Sequence, residues 1–296
     1  MTTVELVGPR ADTTAPGVPS QALSPALEDL SPTPSDRRSL AGLAVWRGRL
    51  LRFLVPVALI ALWQVASSAG WVSPRTLPSP STVIDAFAEL IRNGDLQRAL
   101  PVSLRRAFTG LAIGATLGLS IGLWAGLWKL GEELFDAPLQ ILRAVPFIAI
   151  QPLLVAWFGI YEQPKITLIA AATVFPVYLN TYHGVRGVDA KLIEAGQIFG
   201  LSGRRLSFRV ILPTALPQIF TGLRYALGTS LLALVLAEQV NARDGIGSIL
   251  LVANLNQRPD IIIAGVIVYA VFGVLIDVVM RIVEKVALPW RVSVQL

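Results

Sequence analysis

Cysteine is absent from the 296 residues, and histidine occurs once, at His183. The first absence removes disulfides, thiolate metal sites and cysteine nucleophiles together. The second removes any multi-histidine metal cluster, so no metal site and no catalytic constellation is expected. Charge is also scarce. Asp, Glu, Lys and Arg make up 15% of the chain, where soluble domains carry about 25%. A soluble surface of this size needs those charges to stay wet. A phosphate loop is missing too: there is no G-x-x-x-x-G-K-[ST], and none of the four lysines follows a glycine, so any ATP must be handled by another chain.

What is present is apolar. The residues are 54% hydrophobic and the mean hydropathy is +0.63. Together with the charge deficit this argues against a soluble enzyme and for an all-α, polytopic membrane protein. The net charge of +6 rests on 25 basic residues against 19 acidic ones. In a membrane protein, the bias toward cytoplasmic Lys and Arg and contact with anionic headgroups explain that balance, so no nucleic-acid partner is expected.

Residues 1–36 hold six prolines among Ser, Thr and Ala, with no apolar run. They read as a disordered cytoplasmic tail that extends with its basic flank to about residue 45. Residues 46–296 read as a membrane domain. Runs long enough to cross about 30 Å of hydrocarbon as helices lie at 51–69, 107–128, 137–158, 164–183, 219–240 and 261–283, about six spans in all. In the second, glycines at 110, 114, 118, 122 and 126 form one helical stripe on which a neighbour can approach closely. Pro146 and Pro152 are expected to break the third span, and Pro176 the fourth. With both termini inside, fifteen Lys and Arg fall on the inner side and eight on the outer, which favours cytoplasmic termini.

Two loops exceed mere connectors. In 70–106, Val83, Phe87, Leu90 and Ile91 repeat at helical spacing and Ser81 can cap that helix. The cytoplasmic loop 184–215 carries more. Asp189 can cap a helix of about eleven residues, Gly200 can stop it, and Leu192, Ala195, Gly196 and Phe199 then share a face. From the residues alone, that face suits either a groove on another protein or the chain's own bundle and lipid. Ser202 can cap a second short helix, and Leu212-Pro213 reads as the point of return into the membrane.

Glu194-Ala195-Gly196, then Gly200, then Val210-Ile211-Leu212-Pro213 resembles the "EAA" signature of ABC importer permeases: E-A-A, three residues, G, nine residues, I-x-L-P. The spacing agrees throughout, with Gly196 and Val210 at positions that are usually Ala and Ile. The resemblance covers about residues 50–290. Leu77-Pro78-Ser79-Pro80, Ser103-Leu104-Arg105-Arg106, Gly222-Leu223-Arg224, and Ala237-Glu238 followed by Gly245-Ile246-Gly247 look like the nitrate/sulfonate/taurine/bicarbonate branch, aliphatic sulfonate permeases among it.

This resemblance implies a type I importer permease of MetI-like fold in a bacterial inner membrane. It implies a second permease chain, in this branch an identical copy, and an extracytoplasmic substrate-binding protein. It also implies two copies of an ATPase, which would hold ATP and magnesium, so that this chain has no cofactor of its own. ATPase coupling would fall to Glu194, Ala195, Gly196, Gly200, Leu201, Arg204, Leu212 and Pro213. Glu194 would make polar contacts, Gly200 would end the helix where a side chain would clash, and Leu212-Pro213 would set the re-entry angle. Polar residues within spans are candidates for the pathway: Arg143, Gln151, Asn180, Glu238 and Gln239. Arg143 can instead snorkel to the interface. A membrane-embedded enzyme would need clustered acid/base groups that are not here. An ion-coupled carrier is the alternative, but it usually shows an internal repeat, which this chain lacks.

Overall fold

The computed structural model describes residues 54–240 and 243–290. The expected tail, its basic flank and the last six residues lie outside the described residues. The larger of the chain's two units begins at Trp63. Its elements follow α1 (Leu54–Ser68), whose first residues precede that boundary. They are α2 (Pro80–Arg92), α3 (Asp95–Leu127), α4 (Lys129–Ala144), α5 (Phe147–Phe158), α6 (Gln163–Arg186), α7 (Ala190–Ile198), α8 (Gly203–Leu206), a π-helical turn (Ser207–Ile211), α9 (Leu212–Gln239), α10 (Ile246–Leu255) and α11 (Pro259–Ala287). No strand occurs among the described residues.

Three helices are long and apolar enough to cross a membrane: α3, the continuous helix Gly203–Gln239, and α11. α1, α5 and α10 include shorter apolar stretches. α6 is long, with 24 residues, but carries Asn180, two tyrosines, His183 and Arg186. It tolerates them because it is the central helix. Leu168, Ile169, Thr173, Val177, Tyr178 and Thr181 are fully buried, so its polar groups meet protein rather than lipid.

The glycine stripe explains how α6 gets there. A Cβ on Gly110 would lie 2.6 Å from Ile169 Cβ, one on Gly118 2.6 Å from the Val174 carbonyl, and one on Gly126 2.7 Å from Val185 Cβ. A Cβ on Gly114 would run into Thr173 and the Ala170 carbonyl. Each turn of α3 is thus laid against the backbone of α6, which runs parallel to it. On its other side α6 meets α9 as closely but antiparallel, at Gly184 against Ala215 and Gln218, and at Gly222 against Pro176 and Asn180.

Several local expectations are corrected. The apolar stretch 137–158 is not one helix. It divides at Pro146, which has ψ 123° and opens α5, because a proline disfavours helical geometry in the residue before it. Pro152 and Pro176 break nothing and lie inside α5 and α6. Within α6, the Pro176 carbonyl accepts from Asn180 Nδ2 at 2.8 Å. The cap of α2 is Ser79, whose hydroxyl accepts from the Thr82 amide at 3.3 Å, not Ser81. Val83 and Leu90 face the core while Ile91 is exposed. The chain does not turn at Leu212-Pro213 either. Pro213 sits within the first turn of α9, and the π-helical turn before it accommodates the missing N–H, so the helix continues.

Glycine should therefore be needed at Gly114 and dispensable at Gly228, where a Cβ would meet nothing within 4 Å. Gly114→Val is expected to cost about 1–3 kcal/mol by overpacking and to lower the midpoint of thermal unfolding in detergent by several degrees. Gly228→Ala should leave it unchanged or raise it slightly, since Ala favours helix over Gly by about 1 kcal/mol.

Candidate functional site

The parallel pairing of α3 and α6, with α9 running back against α6, gives the bundle two ends. At one, Arg106 of α3, Glu162 before α6 and Glu238 near the end of α9 converge. At the other, Gly126, Val185 and Ala215 meet below α7. Twenty helical residues separate Arg106 from Gly126, about 30 Å at 1.5 Å per residue, which is the thickness of a bilayer's hydrocarbon core.

The first end is a buried polar knot. Glu238 is 0% and Arg106 2% exposed. Arg106 Nη1 donates to Glu238 Oε1 at 2.7 Å and to the Asp244 carbonyl at 2.6 Å. Its Nε and Nη2 grip Glu162 at 2.7 and 2.6 Å, a bidentate pairing that guanidinium geometry favours. Glu238 is further held by the Ser103 hydroxyl, 2.8 and 2.9 Å from its two oxygens, by the Gly247 amide at 2.9 Å and by the Tyr269 hydroxyl at 3.1 Å. Ser103 also accepts from the Ile246 amide at 2.9 Å. The two glycines of Gly245-Ile246-Gly247 are required here. Gly245 has φ 107° and would press a Cβ onto Glu238 and Arg106, and a Cβ on Gly247 would strike the Glu238 side chain and backbone.

Two charged groups beside the knot lie outside the helical spans. The Arg106 guanidinium, more than any other neighbour, holds the Glu162 carboxyl below its ordinary value of 4.5. Arg258, just before α11, bonds Asp260 at 2.7 Å and Glu89 of α2 at 2.9 Å, and these bonds raise its pKa. That pairing fastens α2 to the start of α11.

At the second end, Asp189 caps α7 by accepting from the Lys191 amide at 2.9 Å. Gly196 is the residue of α7 that packs inward, where an added Cβ would lie 2.8 Å from Leu206 and 3.2 Å from Val210. The helix then closes. Gly200 N–H bonds the Gln197 carbonyl at 2.9 Å and Leu201 N–H the Gly196 carbonyl at 3.0 Å, with Gly200 at φ 80°, the glycine-terminated helix end. Within this chain a Cβ on Gly200 would meet nothing, and the left-handed backbone is what calls for glycine there. Ile198 and Phe199 project at 84% and 85% exposure. Glu194, Ala195, Arg204, Arg205 and Arg209 are exposed, Leu201 and Pro213 half-buried. Leu212 packs with Val185, Ala215 and Ile219, and Glu132 of α4 bonds Tyr182 and Arg186 of α6 close by. The expected face of Leu192, Ala195, Gly196 and Phe199 is thus divided. Gly196 faces the chain and the others face outward.

The candidate pathway residues are scattered. Arg143 is exposed at the end of α4, 5.5 Å from the Phe175 ring centre. Gln151 is buried on α5 and bonds the Ala237 carbonyl at 3.4 Å. The Asn180 carbonyl accepts from Gln218 at 2.9 Å. Glu238 lies in the knot. Gln239 lines a cavity of about 410 Å³ between α9, α10 and α11, with Asn254 and Tyr269. Sequence reasoning noticed the segments holding Ser103, Arg106, Gly245 and Gly247 but not that they meet. It missed Glu162, Lys165 and Tyr269 altogether. A buried arginine within a long apolar helix was the available signal. Among the described residues, no group of three His, Asp or Glu could hold a metal ion.

Residues 114–287 match the family described as binding-protein-dependent transport system inner membrane component, and the chain belongs to that family, the non-catalytic membrane subunits of ABC importers. Among individual relatives, the chain is 46% identical over 246 residues to SsuC of Escherichia coli (strain K12), described as an aliphatic sulfonates transport permease, covering 83% of this chain and 94% of that one. The SsuC protein of Bacillus subtilis (strain 168) is 42% identical, with 83% and 89% covered. The taurine transport system permease TauC of Escherichia coli (strain K12) is 33% identical over 242 residues, with 80% and 88% covered. A chain of the inward-facing MetNI methionine ABC transporter aligns with a TM-score of 0.53 at 21% identity, over 64% of this chain and 95% of that one. This likeness shows the fold.

Removing one partner of the buried pair leaves the other charge uncompensated, so Glu238→Ala should destabilise the bundle by about 3–5 kcal/mol. Ser103→Ala, which removes neutral hydrogen bonds to a charge, should cost about 1–3 kcal/mol. Both are read as unfolding midpoints in detergent.

The depressed Glu162 pKa has a defined pH signature. Its contribution is present above the ordinary carboxylate value and is lost as pH falls through the lower folded value. Between about pH 7 and about pH 3, the unfolding midpoint of Glu162→Gln should fall less steeply than that of the parent chain.

Proposed function

We propose that this chain, paired with a second copy of itself, forms the pathway of an ATP-driven importer for sulfonate-bearing anions, and that α7 is the point at which each of two ATPase subunits engages. Both termini then lie in the cytoplasm, a reading supported by the excess of basic residues on the α7 side. A substrate-binding protein delivers the anion at the opposite face, where the polar knot lies. ATP and magnesium belong to the ATPase, and this chain contributes no cofactor.

The observation that carries the coupling reading is the construction of α7. Its apolar tip, Ile198 and Phe199, stands almost fully in solvent, which is costly for residues with no partner and suits insertion into a groove. Its inner side is keyed by Gly196 into Leu206 and Val210, at the start of the continuous helix Gly203–Gln239. Exposed Arg204, Arg205 and Arg209 surround the tip and suit acidic groups on a partner. A displacement of α7 by closing ATPases is passed to that helix, which ends in the Glu238 knot about 50 Å away at 1.5 Å per residue. The two ends of the bundle thereby switch together. The sulfonate assignment is supported by relatives at 46% and 42% identity described as aliphatic sulfonate permeases and by a taurine permease at 33%.

Phe199→Asp tests the coupling. Because Phe199 is exposed, the variant should fold and insert normally. Co-purification of the cognate ATPase should fall at least tenfold, as expected for losing a buried aromatic anchor. Full capture of the ATPase by a folded Phe199→Asp chain would remove α7 from the coupling role. Gly200→Trp is the less clean variant, since a non-glycine residue in the left-handed region costs about 1–2 kcal/mol by itself.

A further inference from the structure

Beside the knot lies a small cavity, about 140 Å³, lined by Arg106, Tyr161, Glu162, Lys165, Arg243 and Asp244. The transport reading does not use it. Beside Arg106, which is already paired, it holds Lys165, only 5% exposed. An ammonium has three donors, yet here it makes one hydrogen bond, to the Tyr161 carbonyl at 2.8 Å. Its carboxylate neighbour Glu162 is 3.8 Å away, beyond hydrogen-bond reach. Glu162 is already gripped on both oxygens by Arg106 and has Arg105 at 3.8 Å as well. One carboxylate therefore answers three cations. Counting the whole cluster, Arg105, Arg106, Lys165 and Arg243 face Glu162, Glu238 and Asp244, which leaves one positive charge uncompensated. Glu238 offers Lys165 no hydrogen bond, because its oxygens are committed to Ser103, Arg106, Gly247 and Tyr269.

A half-buried cavity with an excess cation and spare N–H donors is made for a small anion. We infer that this cavity is an anion site that takes a singly charged, multi-oxygen headgroup of the sulfonate type, held by Lys165 Nζ and the Arg243 guanidinium with Arg106 as fixed background charge. The volume suits such a headgroup, given that a liquid water occupies about 30 Å³, and an alkyl tail would have to stay outside. The site lies at the end of the bundle opposite α7, so it can receive the anion before the pathway opens. It deepens the sulfonate reading above and rests on that reading for its role, though not for its chemistry.

The test uses the purified full-length chain in detergent. Sodium methanesulfonate replaces sodium gluconate at constant ionic strength while thermal unfolding is followed. Ligand binding to the folded state alone raises the midpoint saturably, and a rise of a few degrees is expected. Lys165→Met should weaken the apparent affinity about tenfold or more, as expected for losing a charge-assisted bond. Should that buried substitution fail to fold, the exposed Arg243→Gln should still weaken the response several-fold. The site is overturned if the parent chain shows no saturable rise, or if both folded variants keep the full response. An equal response to chloride would overturn the assignment to a multi-oxygen headgroup. Failure here with ATPase capture intact would strike the anion site alone, whereas loss of ATPase capture in the parent chain would strike the importer reading and leave the anion chemistry standing.

Discussion

A fully buried carboxylate in an apolar bundle is the constraint around which this fold is organised. Glu238 cannot remain ionised in such surroundings unless its oxygens are met by donors, and the donors come from α3, α10 and α11. Those helices are far apart in sequence, so satisfying one group fixes where three of them end. The glycines at 245 and 247 follow from the same demand, because the loop must lie against the carboxylate. Arg106 extends the constraint to Glu162, and through it to the start of α6. Such a network rigidifies when complete and is costly when broken, which makes it a natural fixed point, or a natural latch, at one face of a transporter.

The other organising feature is close backbone approach. Lipid tails are as apolar as leucine, so helix association in a membrane relies on packing rather than on hydrophobic burial. The glycine stripe of α3 and the glycines at 184 and 222 let α6 lie between two neighbours with side chains interlocked at backbone distance. A rigid central helix follows, with α7 at one end and the knot at the other. Motion imposed at α7 then has few soft places in which to dissipate. The π-helical turn at Ser207–Ile211 is the irregular turn between them, in contact with both α7 and α9.

Much of this was legible. The helical class, the glycine stripe, the capped surface helix at 190–198 and the family resemblance all follow from local pattern, because periodicity and capping depend on neighbours in the chain. What escaped was whatever depends on meetings across the chain. Arg106 stood out only as part of a family-like motif before the second span, yet it is the buried partner of a residue 132 positions away. Glu238 looked like a pathway or gate residue by its depth, and its four donors were invisible. Pro152 and Pro176 looked like breaks because proline lacks an N–H, but a helix tolerates that loss where side chains and neighbours satisfy the freed groups. Gly200 was legible as a helix end, and its left-handed backbone was not.

The amino-acid order by itself determined that the chain is a helical membrane protein and that it resembles the importer permeases, since composition, period and motif spacing are properties of the chain alone. Tertiary structure alone decided which polar residues are structural and which are left over. That distinction is a matter of three-dimensional charge balance: whether an arginine, a lysine or a glutamate is compensated depends on what other helices bring within about 3 Å of it, and no local pattern carries that information.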